Sequence, residues 1–313
     1  MRALLIVNPN ATSTTPRYRS LIVRALGAVL DVAVVSTDRR GHARDLAGSL
    51  DGYDVVIGFG GDGTINEVCN GLVNLELGHS RGPRLGIIPG GDANVFARAA
   101  GIASDPSEAT EQLIEAIGAD RTRVLNLGRL SWQSNEVQHS RVFNFCAGLG
   151  FDAAVVHEVD RLRNLGSDSS LSLYLNAIAK ALFEASRNRG GPPIYLVGDA
   201  DERKRLAVAL ISTTDPWTYL KDRPIRPTPG ASFESGLDMM GITSSSASAL
   251  INAAQTLLRG RTPRGRSVLH LHDQRVIVLE GVNELPLQAD GEVLGFTKRV
   301  EIYDLPEAVE IYY

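Results

Sequence analysis

The first third of the chain alternates between two hydrophobic periods, and that alternation restricts it to one broad architecture. Ala3 to Val7, Val32 to Val35, Val55 to Phe59 and Leu85 to Ile88 are short apolar runs of the kind that strands buried on both faces require. Between the first two, Leu21, Ile22, Ala25, Leu26 and Val29 recur at helical spacing behind Thr15-Pro16, an N-cap followed by an N1 proline. Ala43 to Leu50 reads as a second helix, and Ile65, Val68, Leu72 and Val73 mark a third. A Gly pair at 90–91 opens another. Strand–helix alternation of this kind predicts a parallel α/β sheet.

Beyond residue 122 the pattern changes. Val124 to Leu127, Val142 to Phe145, Ile194 to Val197, Leu206 to Ile211, Val268 to Leu271 and Val276 to Leu279 read as strands. Helices are expected only near 152–163, 171–186 and 246–259, so this part reads as mostly antiparallel β.

Two domains suit 313 residues. A chain that is 43% hydrophobic and 22% charged is neither disordered nor collagen-like. With 32 basic and 36 acidic side chains the net charge is −4, which argues against a nucleic-acid partner. That charge is uneven. Residues 280–313 hold eight acids and two bases, a net of −6, which leaves +2 for the rest. Cys69 and Cys146 are too few for a disulfide framework or a Cys-rich zinc site and suit a reducing compartment. The apolar start is too short for a signal peptide, and no stretch approaches the ~18 apolar residues of a membrane span. The expectation is a cytoplasmic protein that meets a membrane only from outside. A homodimer is compatible with this reading.

The Gly excess, 31 residues, has a focus. Gly58-Phe59-Gly60-Gly61-Asp62-Gly63-Thr64 lies between an expected strand and an expected helix. Gly58, Gly60 and Gly63 formally match G-x-G-x-x-G, but a dinucleotide site needs an acid ~20 residues on. At that distance stands Arg81-Gly82-Pro83-Arg84, with no acid. Adjacent glycines still let the backbone approach a phosphate, and the following helix N-terminus favours an anion, with Thr64 as its expected cap. Asp62 would repel phosphates unless a divalent cation lay between them. The loop therefore suits a magnesium nucleotide; the plainer alternative is a Gly-rich turn with a structural Asp. No P-loop, His-Arg-Asp, His-Glu-x-x-His or Gly-x-Ser-x-Gly motif occurs, so the enzyme classes they mark are excluded.

Gly60-Gly61-Asp62-Gly63-Thr64 with Asn66-Glu67-Val68 resembles the nucleotide loop of the diacylglycerol kinase catalytic family, which includes bacterial lipid kinases and sphingosine kinases and is distantly related to NAD kinases. Ile88-Pro89-Gly90-Gly91-Asp92-Ala93-Asn94-Val95-Phe96-Ala97-Arg98 is similar to a second block of that family, Ala147 to Ala153 to a third and Asp290-Gly291-Glu292 to a fourth. Asn8-Pro9 agrees as well. Asp215-Pro216-Trp217-Thr218-Tyr219 resembles an actinobacterial branch.

The resemblance implies an α/β ATP-binding domain over residues 1–122, completed by about 287–313, and a mostly antiparallel β-sandwich lipid domain over 123–286, with the active site in the cleft between them. It implies a nucleotide site lined by Asn8, Thr12, Thr37, Gly60, Gly61, Asp62, Gly63, Thr64 and Glu67, with Gly90, Gly91 and Asn94 near the phosphates. Asp62 would order Mg²⁺, and Asp290 with Glu292 would be the catalytic acidic pair. On an extended strand both carboxylates would face one side, and Gly291 between them permits a turn. A carboxylate of ordinary pKa can receive the acceptor hydroxyl's proton only late, as the new bond forms.

Three positions depart from the family. Asp92 stands where a Thr or Ser is usual and Val95 where an Asp is. Ser235, in Phe233 to Asp238, stands where some members carry a metal-binding Asp.

The implied activity is ATP-dependent phosphorylation of diacylglycerol or a related lipid alcohol. An NAD kinase-like enzyme and a non-catalytic nucleotide- or lipid-binding regulator are the alternatives. Arg259, Arg261, Arg264 and Arg266 fall within eight residues without an acid, so they form either a solvated loop or a contact with an anionic membrane surface. His270-x-His272 suggests no third metal ligand and reads as structural or surface.

Overall fold

The structure is a computed structural model that describes residues 1–49, 52–74, 79–80, 82–150, 193–198, 202–220 and 223–313. The helices expected near 152–163 and 171–186 lie outside these residues. The described chain forms two compact units, residues 1–127 with 305–313, and residues 128–304. The first division falls five residues beyond 122 and the return falls well beyond 287. In both places the chain passes from unit to unit inside a strand, so no linker marks the crossing.

The first unit contains β1 (Arg2–Val7), α1 (Pro16–Gly27), β2 (Asp31–Ser36), α2 (His42–Ala47), β3 (Val55–Gly60), α3 (Asp62–Leu72), the short β4 (Val73–Asn74) and β5 (His79–Ser80), β6 (Arg84–Pro89), α4 (Val95–Ala99) and α5 (Pro106–Gly118). It ends in the opening of β7 (Thr122–Ser134). Its sheet runs β2-β1-β3-β6, with β6 then paired to the C-terminal strand through Ile311 and Leu85. These pairings are parallel. All six residues of β3, and the last five of β1 and of β6, are buried, which is why their sequence is apolar without alternation. β1 has β2 on one side and β3 on the other, so the chain reverses its winding there, and the carboxyl ends of β1 and β3 flank a switch-point crevice.

Thr15 caps α1 by accepting from the Tyr18 amide, as its sequence predicts. The sequence reading passed over α5. Asp105 accepts from the amides of Ser107 and Glu108, Pro106 sits at N1, and Leu113 and Ala116 turn into the core with Leu5, Ile57 and Tyr312.

The second unit contains the rest of β7, β8 (Val137–Phe143), β9 (Cys146–Leu149), β10 (Ile194–Val197), β11 (Arg203–Leu206), β12 (Val208–Ser212), β13 (Thr218–Leu220), β14 (Arg223–Ile225), β15 (Leu237–Ile242), α6 (Ala247–Leu258), β16 (Val268–Gln274) and β17 (Val276–Ala289). β18 (Glu292–Tyr312) begins here and ends in the first unit. The order β16-β15-β12-β9-β17-β18 is antiparallel throughout. Leu149, Ile211, Met239, Leu279, Leu287 and Val300 meet in its core. The expected strand at 206–211 divides at Ala207 into β11 and β12. The one expected at 142–145 stops at Phe143, where the backbone bends. α6 matches the helix expected at 246–259.

Asp304 is the last residue of the second unit. Burial, and then the charge of Asp273, push its carboxyl up to about 6 against the pull of Arg275. A raised carboxyl binds its proton more tightly in the folded chain. The stability it contributes is whole below the ordinary value of 3.8 and is lost as pH rises through about 6. Urea midpoints across this window are therefore expected to fall in the wild type relative to Asp304→Asn. Parallel profiles would show that Asp304 is not linked to unfolding.

Candidate functional site

Two turns meet at the carboxyl ends of β3 and β6. The Gly90 amide donates to the Gly60 carbonyl at 2.7 Å. A Cβ on Gly91 would lie 2.8 Å from the Gly61 Cα, and one on Gly90 3.0 Å from the Gly60 Cα. The first distance is shorter than real Cβ atoms allow and the second is tighter than nearly all of them, so the glycines at 90 and 91 let these turns touch. From β1, the Asn8 amide donates to the Phe59 carbonyl at 2.9 Å, and Asn8 Nδ2 donates to Thr64 Oγ1 at 3.0 Å. The Ser13 amide donates to the Gly90 carbonyl at 2.8 Å. Asn8, Gly60, Thr64 and Gly90 thus form one bonded group at the switch point.

Thr64 is not the helix cap that its sequence suggests. α3 starts two residues earlier, with Gly61 at its N-cap, and Thr64 turns back against Gly60. Gly63 is exposed in the first turn, and a Cβ there would meet nothing within 4 Å. The first N–H groups of a helix have no acceptor inside it, so this end favours an anion.

Asp62 does more than face this end. Its Oδ2 accepts from the Val95 amide at 3.0 Å and its Oδ1 from the Phe96 amide at 3.1 Å, tying α3 to the start of α4. Burial pushes its carboxyl above the usual value, opposed by those two amides and by Arg98. Each oxygen keeps a lone pair beyond its amide bond. Asn94, in left-handed backbone, accepts from the Gly91 amide and donates to the Gly91 carbonyl, so it shapes the second turn from within. Glu67 accepts from the amides of Gly41 and Ala43 at 2.7 and 3.1 Å and holds the entry to α2. Thr37 donates its amide to the Val7 carbonyl, and Thr12 is exposed on the turn after β1. Asp92 is exposed. Thr14, which the sequence reading did not select, is buried and donates to the Asn8 carbonyl at 2.7 Å.

In the second unit, Asp290 and Gly291 form a two-residue turn joining β17 to β18, both with positive φ (47° and 78°). Asp-Gly suits this hairpin geometry. The Asp290 carboxylate accepts from three successive amides, Asn144 at 2.7 Å, Phe145 at 3.0 Å and Cys146 at 3.1 Å. Glu292 follows at the first position of β18 and accepts from Arg141 Nη2 at 2.6 Å. The turn therefore gives the two carboxylates different partners, backbone dipoles for one and a guanidinium for the other.

Asn144 was not apparent from sequence. It is fully buried, and neither its Nδ2 nor its Oδ1 has a hydrogen-bond partner among the described residues. A lone Asn inside the apolar run Val142-Phe143-Asn144-Phe145 was the available signal.

No group of three or more His, Cys, Asp or Glu side chains suited to a metal occurs among the described residues. Ser235 donates to the Ser232 carbonyl, and Asp238 is held by His272 at 2.8 Å. His270 Nε2 meets the Pro263 carbonyl at 3.0 Å.

Asp290→Asn keeps the side chain's shape and tolerates left-handed backbone, but it loses the charge that three amides share. It is expected to lower stability by about 1.5–3 kcal/mol, read from urea unfolding. An unchanged midpoint would mean that the 144–146 bend is held by other contacts.

Residues 2–126 match the model of the diacylglycerol kinase catalytic domain. A diacylglycerol kinase of Bacillus subtilis is 34% identical over 139 residues, covering 42% of this chain and 43% of that protein. The match thus spans less than half of that relative's length. The crystal structure of a diacylglycerol kinase from Bacillus anthracis superposes with a TM-score of 0.69 at 21% identity, covering 100% of this chain and 96% of that one. An NAD kinase from Archaeoglobus fulgidus, solved in complex with ATP, gives 0.51 at 14% identity, covering 100% and 94%. At those identities the structural likeness is one of fold, and the fold is that of the diacylglycerol and NAD kinases. The paired Gly-Gly turns and the sequence match lie on the same strands, so residues 2–126 are similar, in sequence and in fold, to the diacylglycerol kinase catalytic domain.

Proposed function

We propose that the chain is an ATP-dependent lipid kinase that transfers a phosphoryl group to the hydroxyl of diacylglycerol or a related lipid alcohol. The observation that carries this reading is the contact of the two Gly-Gly turns at the switch point, with Asp62 in the first turn of α3. The match of residues 2–126 to the diacylglycerol kinase catalytic domain and a fold neighbour solved with ATP support it.

The residues present fit a magnesium nucleotide. Gly63 leaves room where any side chain would intrude on a phosphate, and Asp62 retains lone pairs for a cation. Bound Mg²⁺ would neutralise charge on the phosphates. The amides of the α3 first turn would hold a phosphate, while Asn8 and Asn94 keep the two turns in place. In the second unit Asp290 or Glu292 would receive the hydroxyl proton late in transfer, with Arg141 orienting Glu292. Because the acceptor is a membrane lipid and ATP is cytoplasmic, the proposed working place is a cytoplasmic membrane surface.

Incubation with terminally labelled ATP, Mg²⁺ and either a total lipid extract or NAD tests the reading. Label is expected in lipid and not in NAD, and Asp62→Ala, Asp290→Ala and Glu292→Ala are each expected to abolish it. Label in NAD alone, or binding of ATP with no transfer, would overturn the proposal. Full activity of the Asp290→Ala, Glu292→Ala double variant would remove those two from the chemistry.

Gly63→Ala separates binding from folding. Nothing in the protein resists the added methyl, so thermal stability is expected to hold or to rise by up to about 1 kcal/mol. ATP affinity by calorimetry is expected to fall about tenfold, ~1.4 kcal/mol. Unchanged affinity would place the phosphates elsewhere.

A further inference from the structure

We propose that the connection from β15 through α6 to β16 is the surface by which this protein rests on an anionic lipid bilayer. Choosing a bilayer rests on the lipid-kinase reading; the charge pattern itself does not. Between Asp238 and Asp273 there is no acidic residue in 34 positions. α6 carries no charge at all. Directly after it come Arg259, Arg261, Arg264 and Arg266, all exposed. None of the four has a carboxylate within ion-pair distance among the described residues.

This is a fixed platform. Gly260, at positive φ, closes the helix, and its amide donates to the Leu257 carbonyl at 2.8 Å. Thr262 Oγ1 donates to the Arg226 carbonyl at 2.8 Å. Pro263 is buried, and its carbonyl meets His270 Nε2. Arg223, from β14, donates to the Leu258 carbonyl at 2.9 Å and adds a further cation beside the helix end. Arg226, whose carbonyl takes the Thr262 hydroxyl, is neutralised by Asp215 at 2.8 Å.

The inner face of α6 is occupied, since Leu250 and Ala253 pack on Val208, Leu210, Met240 and Ile242. Its outer face shows Ser248, Ile251, Asn252 and Gln255, none of them charged. Bringing that face against headgroups desolvates no charge, while the arginines beside it meet lipid phosphates. This combination of an uncharged helix face with unpaired arginines favours a bilayer over a nucleic acid, which would be met by charge along the whole element.

Near an anionic surface each arginine strengthens partitioning about fivefold, so four contribute several hundredfold. The test is cosedimentation of the full chain with vesicles of phosphatidylcholine, alone or with about 30% phosphatidylglycerol, at about 0.1 M salt, where the Debye length is ~10 Å. Wild type is expected to bind only the phosphatidylglycerol vesicles and to lose binding as salt rises. The variant with all four arginines changed to Gln is expected to bind several hundredfold less, and Arg264→Glu with Arg266→Glu is expected to reproduce most of that loss. Phosphorylation of lipid in neutral detergent micelles is expected to be unchanged in both. Equal vesicle binding by wild type and variants overturns the proposal, as does wild-type binding that ignores phosphatidylglycerol. So does tighter binding to duplex DNA at the same salt. Wild type that binds vesicles yet phosphorylates no lipid sinks the kinase reading and leaves the surface standing.

Discussion

The first unit's site depends on a backbone-to-backbone contact that leaves no room for a side chain. β3 and β6 run parallel in register, Gly60 opposite Pro89, so both strands end at the same level. Their turns then touch through Gly60, Gly61, Gly90 and Gly91. Other bonds at the switch point are built around this contact. Asn8 reaches Thr64 because Thr64 is folded against Gly60, and Ser13 reaches Gly90 because Gly90 is held by Gly60. Asp62 then fixes where α4 begins. A substitution in these glycines would change the spacing of two helices at once.

The parts of the fold that sequence revealed were those where one residue type has one physical use. Thr15-Pro16 starts a helix, and it does so in the structure. Asp105-Pro106 carries the same signal and was overlooked, although α5 buries Leu113 and Ala116 against the sheet. β15 was missed for a different reason. Its sequence, Leu-Asp-Met-Met-Gly-Ile, is buried throughout and has neither alternation nor β-branched enrichment, so its strand form is imposed by β12 and β16 on either side.

The candidate site was legible in residue type and less so in role. Gly91 and Gly90 come against Gly61 and Gly60 where a Cβ would lie 2.8 and 3.0 Å from backbone, and a Cβ on Gly60 would run into Thr64. Asp62, Glu67 and Asn94 are expected from sequence to line the nucleotide site, and each also makes bonds to backbone of its own unit, with partners 3 to 34 residues away. Asp290 is similar, since its three amide donors lie about 145 positions earlier. Polar side chains that shape loops and polar side chains that hold ligands are drawn from the same residue types, and only long-range geometry separates the two uses.

The passage of β18 out of one unit and into the other has a consequence for modularity. Residues 2–126 carry the family signature, but the strand beside β6 and the buried ring of Tyr312 come from beyond residue 304. A gene segment ending at residue 126 would encode a sheet with a raw edge at β6 and a hole in its core. The signature region is therefore not a transferable cassette. Recombination could exchange it intact only as an insertion host, with the whole second unit carried as a loop between its body and its last strand.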